Sequence, residues 1–314
     1  MRLLSAGLLL LGLGAPASAV RERDWHETLS PQLHILHQAA FLPRSFLMDV
    51  GRTHSRLKLD LSMFSPWMSK DRIKVYLYAD RESYLRGEFH PPAWSNGIAY
   101  FDRRSIATFV QEGGRRTTDV ISHEMTHVLF ESYWAEVGKP PPVWLNEGLA
   151  MLEEARDPSR PEDSDWYQSM ALLSGRALPM ARFVAIKPVE DAEGLKMDKD
   201  DVTLWYVQAY STIHFLYRRH TRLQFFQLVK GLRDGKTLTE MLWQVYRYRT
   251  LDDFETAWRV WLKMPAVQDR FAAGPGRRAG SASPDPVSGR PPWKLKAASF
   301  EGMGFKSLAP DGKR

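Results

Sequence analysis

The sequence contains no cysteine. That absence excludes disulfide staples, thiolate metal ligands and lipid attachment to a cysteine, so the fold must rest on its apolar core. Beyond Leu3 to Leu13 no stretch approaches the roughly 20 apolar residues that a spanning helix needs, and no internal repeat is visible. Positive charge is missing where a nucleic-acid protein would carry it. Of the net +6, a surplus of five sits in residues 265–314, with nine Lys or Arg against four Asp or Glu, and Arg2 supplies the rest. Residues 20–264 are formally neutral, which argues against a nucleic-acid partner.

What is present is ample for a core: 314 residues, 44% hydrophobic and 12% aromatic. Residues 1–19 are expected to stand apart from it. Met1 and Arg2 make a short positive start, Leu3 to Leu13 an apolar run and Ala17-Ser18-Ala19 a small-residue cleavage site, the pattern of a secretory signal peptide. The mature chain is then expected in a bacterial periplasm or secreted, with no transmembrane segment. Residues 265–314 are rich in Gly, Pro, Ser and basic residues and read as a disordered tail, with at most a weak attraction to an anionic envelope surface.

The chemistry is concentrated between Thr117 and Glu154. Asp119 to Tyr133 has the pattern of an amphipathic helix, with Thr117, Thr118 and Asp119 offering cap oxygens. His123 and His127 are four apart, which puts both imidazoles on one helical face, close enough to share a small cation. Glu124 lies beside the pair, where a carboxylate can accept a proton from an activated water without being a ligand. A second helix opens at Pro142, after a turn near Gly138, and carries Glu147 twenty residues past His127. Two imidazoles, one carboxylate and an open fourth position are the ligand set of a single hydrolytic zinc ion, not of a closed structural site.

Elsewhere the pattern is coarser. Residues 23–62 show helix-like spacing through Leu29, Leu33, Leu36 and Ala40, then Phe46, Val50, Leu57 and Leu61; His26, His34, His37 and His54 there have no companion carboxylates in a ligand pattern. Ile73 to Tyr78 reads as a strand and Arg81 to Phe89 as a short helix. Gly97 to Phe101 and Ile106 to Val110 read as strands joined by the Asp102-Arg103-Arg104 turn. Residues 166–174 read as a helix, 176–201 as a long loop, and 204–218, 221–233, 238–246 and 251–262 as helices, with Trp243, Trp258 and Trp261 as core aromatics. The fold class expected is α+β: a small mixed or antiparallel sheet, then a mainly helical region. The expected division is a helical segment and sheet subdomain over 20–118 and a helical metal-binding subdomain over 119–264.

His123-Glu124-Met125-Thr126-His127 followed by Asn146-Glu147-Gly148-Leu149-Ala150 resembles the gluzincin metallopeptidases and, more narrowly, the short bacterial peptidase MA-like family. The resemblance spans about Arg72 to Met264. It implies a zincin-type catalytic region, a zinc-dependent endopeptidase and a peptide or protein substrate. His123, His127 and Glu147 would hold the zinc and Glu124 would be the general base. Asn146 would orient His127 or the helix junction. In gluzincins the strand before the zinc helix pairs with an extended peptide; here that implies Gly97, Ile98, Ala99 and Tyr100, with Ile106 to Val110 as the other candidate strand. A tyrosine in a later helix donates to the oxyanion in the aminopeptidase branch; Tyr206, 59 residues past Glu147, matches it, and Tyr210 and His214 are the alternatives.

Two departures matter. Thermolysin-like chains carry an Asp four residues past the ligand Glu that orients the first His, and here that position is Met151, with Glu154 on the same helical face as the substitute. The Gly-Ala-Met-Glu-Asn signature that holds a free N-terminus in aminopeptidases is absent, which favours endopeptidase action. Hydrolysis of a non-peptide amide or ester, and metal binding without turnover, are the alternative functions.

Overall fold

The computed structural model describes residues 25–111, 115–154, 161, 164–188, 197–264 and 267. The expected signal peptide, nearly all of the expected tail, residues 189–196 of the stretch read as a long loop and most of residues 155–164 lie outside the described residues. Among the described residues no helix is long and apolar enough to cross a membrane.

Strands β1 (His26–Leu29), β2 (Leu33–His37), β3 (Ile73–Tyr78), β4 (Gly97–Tyr100) and β5 (Ser105–Phe109) form one sheet in the order β1-β2-β3-β5-β4. The two outer pairs are antiparallel and the two inner ones, β2 with β3 and β3 with β5, parallel. A parallel step needs a crossover, and helix α1 (Arg44–Leu61) makes it between β2 and β3. Val50, His54, Leu57 and Leu61 recur on one side of α1 and are buried. The other crossover runs through helix α2 (Arg81–Arg86), capped by Asp80, and through β4.

Residues 26–37 differ from the helical expectation. Leu33, Ile35 and His37 are buried in strict alternation while His34 and Leu36 are half-exposed, so the period is two. The spacing of Leu29, Leu33 and Leu36 matched a helix by coincidence across a hairpin. Both faces of the sheet are covered, which is why every residue of β5 is buried. One face joins the large core with α1 and the later helices; the other packs Tyr78, Ile98, Ala107 and Phe109 against Tyr84 and Phe89.

The helices α3 (Arg115–Ala135), α4 (Val143–Glu153), α5 (Asp165–Ser169), α6 (Met180–Ala185), α7 (Lys199–Arg218), α8 (Arg222–Arg233), α9 (Leu238–Met241) and α10 (Leu251–Leu262) follow. The fold is α+β, with a mixed sheet followed by a mainly helical region. The stretch read as a loop over 176–201 contains α6 and the first turn of α7. Pro142 caps α4 from outside rather than opening it. Trp258 and Trp261 are buried, but Trp243 is 43% exposed. A π-helical turn over Leu242–Tyr246 ends at Arg247 in the left-handed region. Its wider turn rotates Trp243 off the face that Met241, Leu242 and Tyr246 bury.

Candidate active site

Helix α3 passes beneath the β4–β5 hairpin and packs on α1 and α4. It ends where Gly138, at φ +66°, reverses the chain, and α4 returns alongside. Gly148 lets α4 then approach α7 closely: a Cβ there would lie 2.5 Å from Ile213 Cγ1 and 2.6 Å from the Ala209 carbonyl oxygen. The residue after Glu147 thus has to be glycine, and the contact sets α7 against the carboxylate.

The three expected ligands meet. Glu147 Oε2 lies 3.8 Å from His123 Nε2, and Glu147 Oε1 lies 3.9 Å from His127 Nε2. One donor atom from each residue falls within 4.8 Å of the others. These separations are too long for hydrogen bonds and near the roughly 3.4 Å expected between ligands about 2.1 Å from a tetrahedral ion. His123 Nδ1 hydrogen-bonds with Glu154 Oε1 at 2.6 Å, and the tautomer that donates there turns its Nε2 lone pair toward Glu147. Trp166 Nε1 holds the other Glu154 oxygen at 2.8 Å. On the opposite side Asn146 lies beside His127, raising its pKa slightly against the effect of burial, and donates from Nδ2 to Glu131 Oε1 at 2.8 Å. Glu131 Oε1 lies 3.8 Å from His127 Nδ1. The structure therefore puts Asn146 against His127 and Glu154 against His123.

The electrostatics of this cluster are one-sided. Burial lowers the pKa of His123 and His127 to about 3, so both are neutral imidazoles, the form that binds metals. Burial raises Glu124 and Glu147 well above the usual carboxylate range, and neighbouring glutamates add to the rise. Glu154 is pushed up to about 8, again by burial first. Glu124 Oε1 and Glu147 Oε2 are buried with no hydrogen-bond partner. Among the described residues no Lys or Arg pairs with Glu124, Glu147 or Glu154. A buried set of carboxylates with no cationic side chain is what a divalent cation satisfies, and two nitrogens with one oxygen suit zinc.

Of the three candidate oxyanion donors, Tyr206 has Glu147 as its electrostatic neighbour. Its hydroxyl pKa is raised by burial and by the charge of Glu147. Tyr210 instead hydrogen-bonds to Ser164. His214 stacks on Trp261 at 5.5 Å, with Tyr167 and Tyr210 around it.

The edge strand is β4; β5 lies between β3 and β4 and has no open side. The direction of β4's backbone groups follows from its neighbours. Lys74 N–H donates to Arg104 O and Val110 N–H to Tyr78 O, at 3.0 and 2.9 Å, so the even-numbered residues of β5 address β3. Ser105 and Ala107 then address β4, where the register sets them opposite Tyr100 and Ile98. By alternation the backbone groups of Gly97 and Ala99 face the outer side of the sheet. Gly97 also touches the site: a Cβ there would lie 2.7 Å from Glu124 Oε1 and 2.7 Å from Val120 Cγ1.

Two neighbours of the imidazoles were not singled out in the sequence. Glu131 was legible there, four residues past His127 on the same face. Trp166 was not, because it reaches Glu154 from a separate helix. A search of the curated proteins finds no match to the chain. Residues 60–264, which contain the whole constellation from α3 to Tyr206, match the model of the Peptidase MA superfamily, and the chain belongs to that superfamily of metallopeptidases, which are usually zinc-dependent.

Proposed function

We propose that the chain is an exported zinc endopeptidase of the gluzincin type, hydrolysing peptide bonds. The observation that carries this reading is the Glu147 carboxylate set 3.8 and 3.9 Å from the two imidazole Nε2 atoms, with Glu124 beside them. His123, His127 and Glu147 would hold one zinc ion. Zinc there supplies Lewis acidity to a substrate carbonyl and lowers the pKa of water toward about 7. Glu154 and Asn146 fix the imidazole rings so that both Nε2 lone pairs converge.

Glu124 is the proton carrier. Its carboxylate takes the proton from the attacking water and delivers one to the leaving amine. Tyr206, held protonated by burial, donates to the oxyanion that forms at the substrate carbonyl. The Gly97 N–H and the outward groups of Ala99, within the edge strand Gly97 to Tyr100, pair with an extended peptide and set its scissile bond over Glu124. The pattern of residues 1–19 supports export to a periplasm or beyond.

The test is zinc content and cleavage of a casein-type protein by the purified chain and by Glu124→Gln. Both should hold about one zinc, and the variant should lose roughly 10²- to 10⁴-fold in kcat. Cleavage at the wild-type rate by the variant overturns the role of Glu124. A zinc-loaded wild type that turns over only non-peptide amides or esters, or nothing, overturns the substrate class or the enzyme assignment.

A further inference from the structure

Between α2 and β4 the chain is held by a set of side-chain hydrogen bonds. Arg81 donates through Nη1 to Asn96 Oδ1 at 3.0 Å and to the Ser95 carbonyl at 3.4 Å, and through Nη2 to the Ala93 carbonyl. Thr108 Oγ1, from β5, donates to the Asn96 carbonyl at 2.7 Å. The fully buried Tyr84 hydroxyl lies 2.8 Å from Ser95 Oγ, and Ser95 Oγ donates to the Gly97 carbonyl. Since the serine proton goes to Gly97, Tyr84 must be the donor to Ser95. Burial raises the tyrosine's pKa strongly, so the hydroxyl stays protonated.

The three groups form one directed relay, Tyr84 to Ser95 to Gly97, that ends on the outward-facing carbonyl of the glycine packed against Glu124. It takes the place of a neighbouring strand on one residue of the edge. That residue has no side chain, and none would fit: a Cβ on Gly97 would meet Glu124 Cγ at 2.8 Å as well as the carboxylate oxygen. Edge strand and Glu124 are in contact with no intervening atom. Any drift of β4 changes the distance between the base and whatever the edge holds.

We infer that Tyr84 and Ser95 are positioning residues for the hydrolysis, fixing the edge strand through the Gly97 carbonyl at the spacing from Glu124 that proton transfer needs. Neither touches the metal ligands. This rests on the peptidase reading above and adds to it how the base and the substrate strand are kept in register. Misplacement by about 1 Å costs about 100-fold in rate for an otherwise intact site.

The experiment measures kcat, KM and zinc content on one peptide substrate for the full chain and for Ser95→Ala, Tyr84→Phe, the double variant, Gly97→Ala and Tyr246→Phe. The last removes another buried hydroxyl, bonded to the Leu216 carbonyl at 3.2 Å, and controls for structural loss alone. Ser95→Ala and Tyr84→Phe should each lower kcat about tenfold with KM within about twofold and zinc unchanged, and the double variant should be no worse than Ser95→Ala. Gly97→Ala, which must displace Glu124, should lose about 100-fold in kcat. Backbone amide exchange at residues 97–100 should rise in the Ser95 and Tyr84 variants and not in Tyr246→Phe. Wild-type kcat in Ser95→Ala and Tyr84→Phe overturns the inference and leaves the peptidase reading standing. An equal loss in Tyr246→Phe overturns it as well. A zinc-loaded wild type that cleaves no peptide overturns the peptidase reading itself, and the inference with it.

Discussion

Glu153 and Glu154 are adjacent at the end of α4; Glu153 is fully buried, the Glu154 side chain is 19% exposed, and the two enter opposite environments. Glu153 faces Arg56 Nε at 3.7 Å and Arg218 Nη2 at 3.4 Å; Arg218 and Arg222 also reach Asp60, at 3.1 and 2.8 Å. Two carboxylates there are answered by three guanidiniums from α1, α7 and α8. Glu154 faces His123 and Trp166, in the company of Glu124, Glu131 and Glu147, and among the described residues no guanidinium pairs with it. The first cluster balances its charge with the chain's own side chains and ties helices together. The second has no such counter-charge among the described residues, which is what the proposed metal ion would supply. The comparison separates the two carboxylates by the partners they face, guanidiniums for Glu153 and an imidazole and an indole for Glu154.

The largest effect should come from breaking the balanced cluster. Arg218→Met leaves Glu153 and Asp60 short of a cation in the interior, a loss of about 3 kcal/mol or more at pH 8. The pH dependence has a defined sign. Burial, with Asp60 adding and the arginines opposing, raises Glu153 to about 7 in the folded chain, above its ordinary 4.5. A raised carboxylate favours the fold fully below 4.5 and loses that contribution as pH rises through about 7. Removing Arg218 raises the folded pKa further, so the stability deficit should shrink between pH 8 and pH 5. Denaturant unfolding at the two pH values checks it; an equal deficit at both would show that Glu153 is not the group left uncompensated. Zinc content should not change.

The unbalanced cluster should answer in metal affinity instead. Glu154→Gln keeps the shape but weakens the acceptor for the His123 Nδ1–H, and outer partners of this kind are typically worth 10- to 100-fold in affinity. Competition with a chromophoric chelator should show that loss, with unfolding of the metal-free chain changed by less than in Arg218→Met. Zinc binding unaffected in Glu154→Gln would erase the distinction between the neighbours.

The metal cluster was legible in the sequence because its residues sit on regular helices, where spacing alone decides which side chains share a face. His123, His127 and Glu147 needed only the helical repeat and one reversal at Gly138. The β1–β2 hairpin was not, because five residues of alternation in β2 compete with a leucine spacing that a helix fits equally well. Trp243 was misplaced by a π turn, which shifts the phase of the repeat without leaving a mark in the composition. The Tyr84–Ser95 relay was hidden for a different reason: it depends on a loop bringing a serine under a tyrosine from a separate helix, and no periodicity encodes that contact. The choice between β4 and β5 needed the strand order.

The smallest expected effect tests how far the influence of Glu154 extends. Trp166→Phe keeps the aromatic packing of α5 and deletes one donor, the indole N–H 2.8 Å from Glu154 Oε2. A hydrogen bond to a charged acceptor contributes about 1.5–3 kcal/mol when that acceptor is ionised and about 1 when it is neutral. Glu154 in the metal-free chain is raised to about 8 and so is largely protonated at pH 7. The stability loss there should stay near 1 kcal/mol. Bound zinc draws negative charge toward the imidazole and favours the ionised carboxylate, so the same deletion should cost more in the zinc-loaded chain, as a severalfold weaker zinc affinity. Measuring unfolding of Trp166→Phe with and without zinc gives both numbers. Equal losses in the two states would mean that Glu154 has the same charge whether or not the metal is bound, and that it only braces the ring of His123.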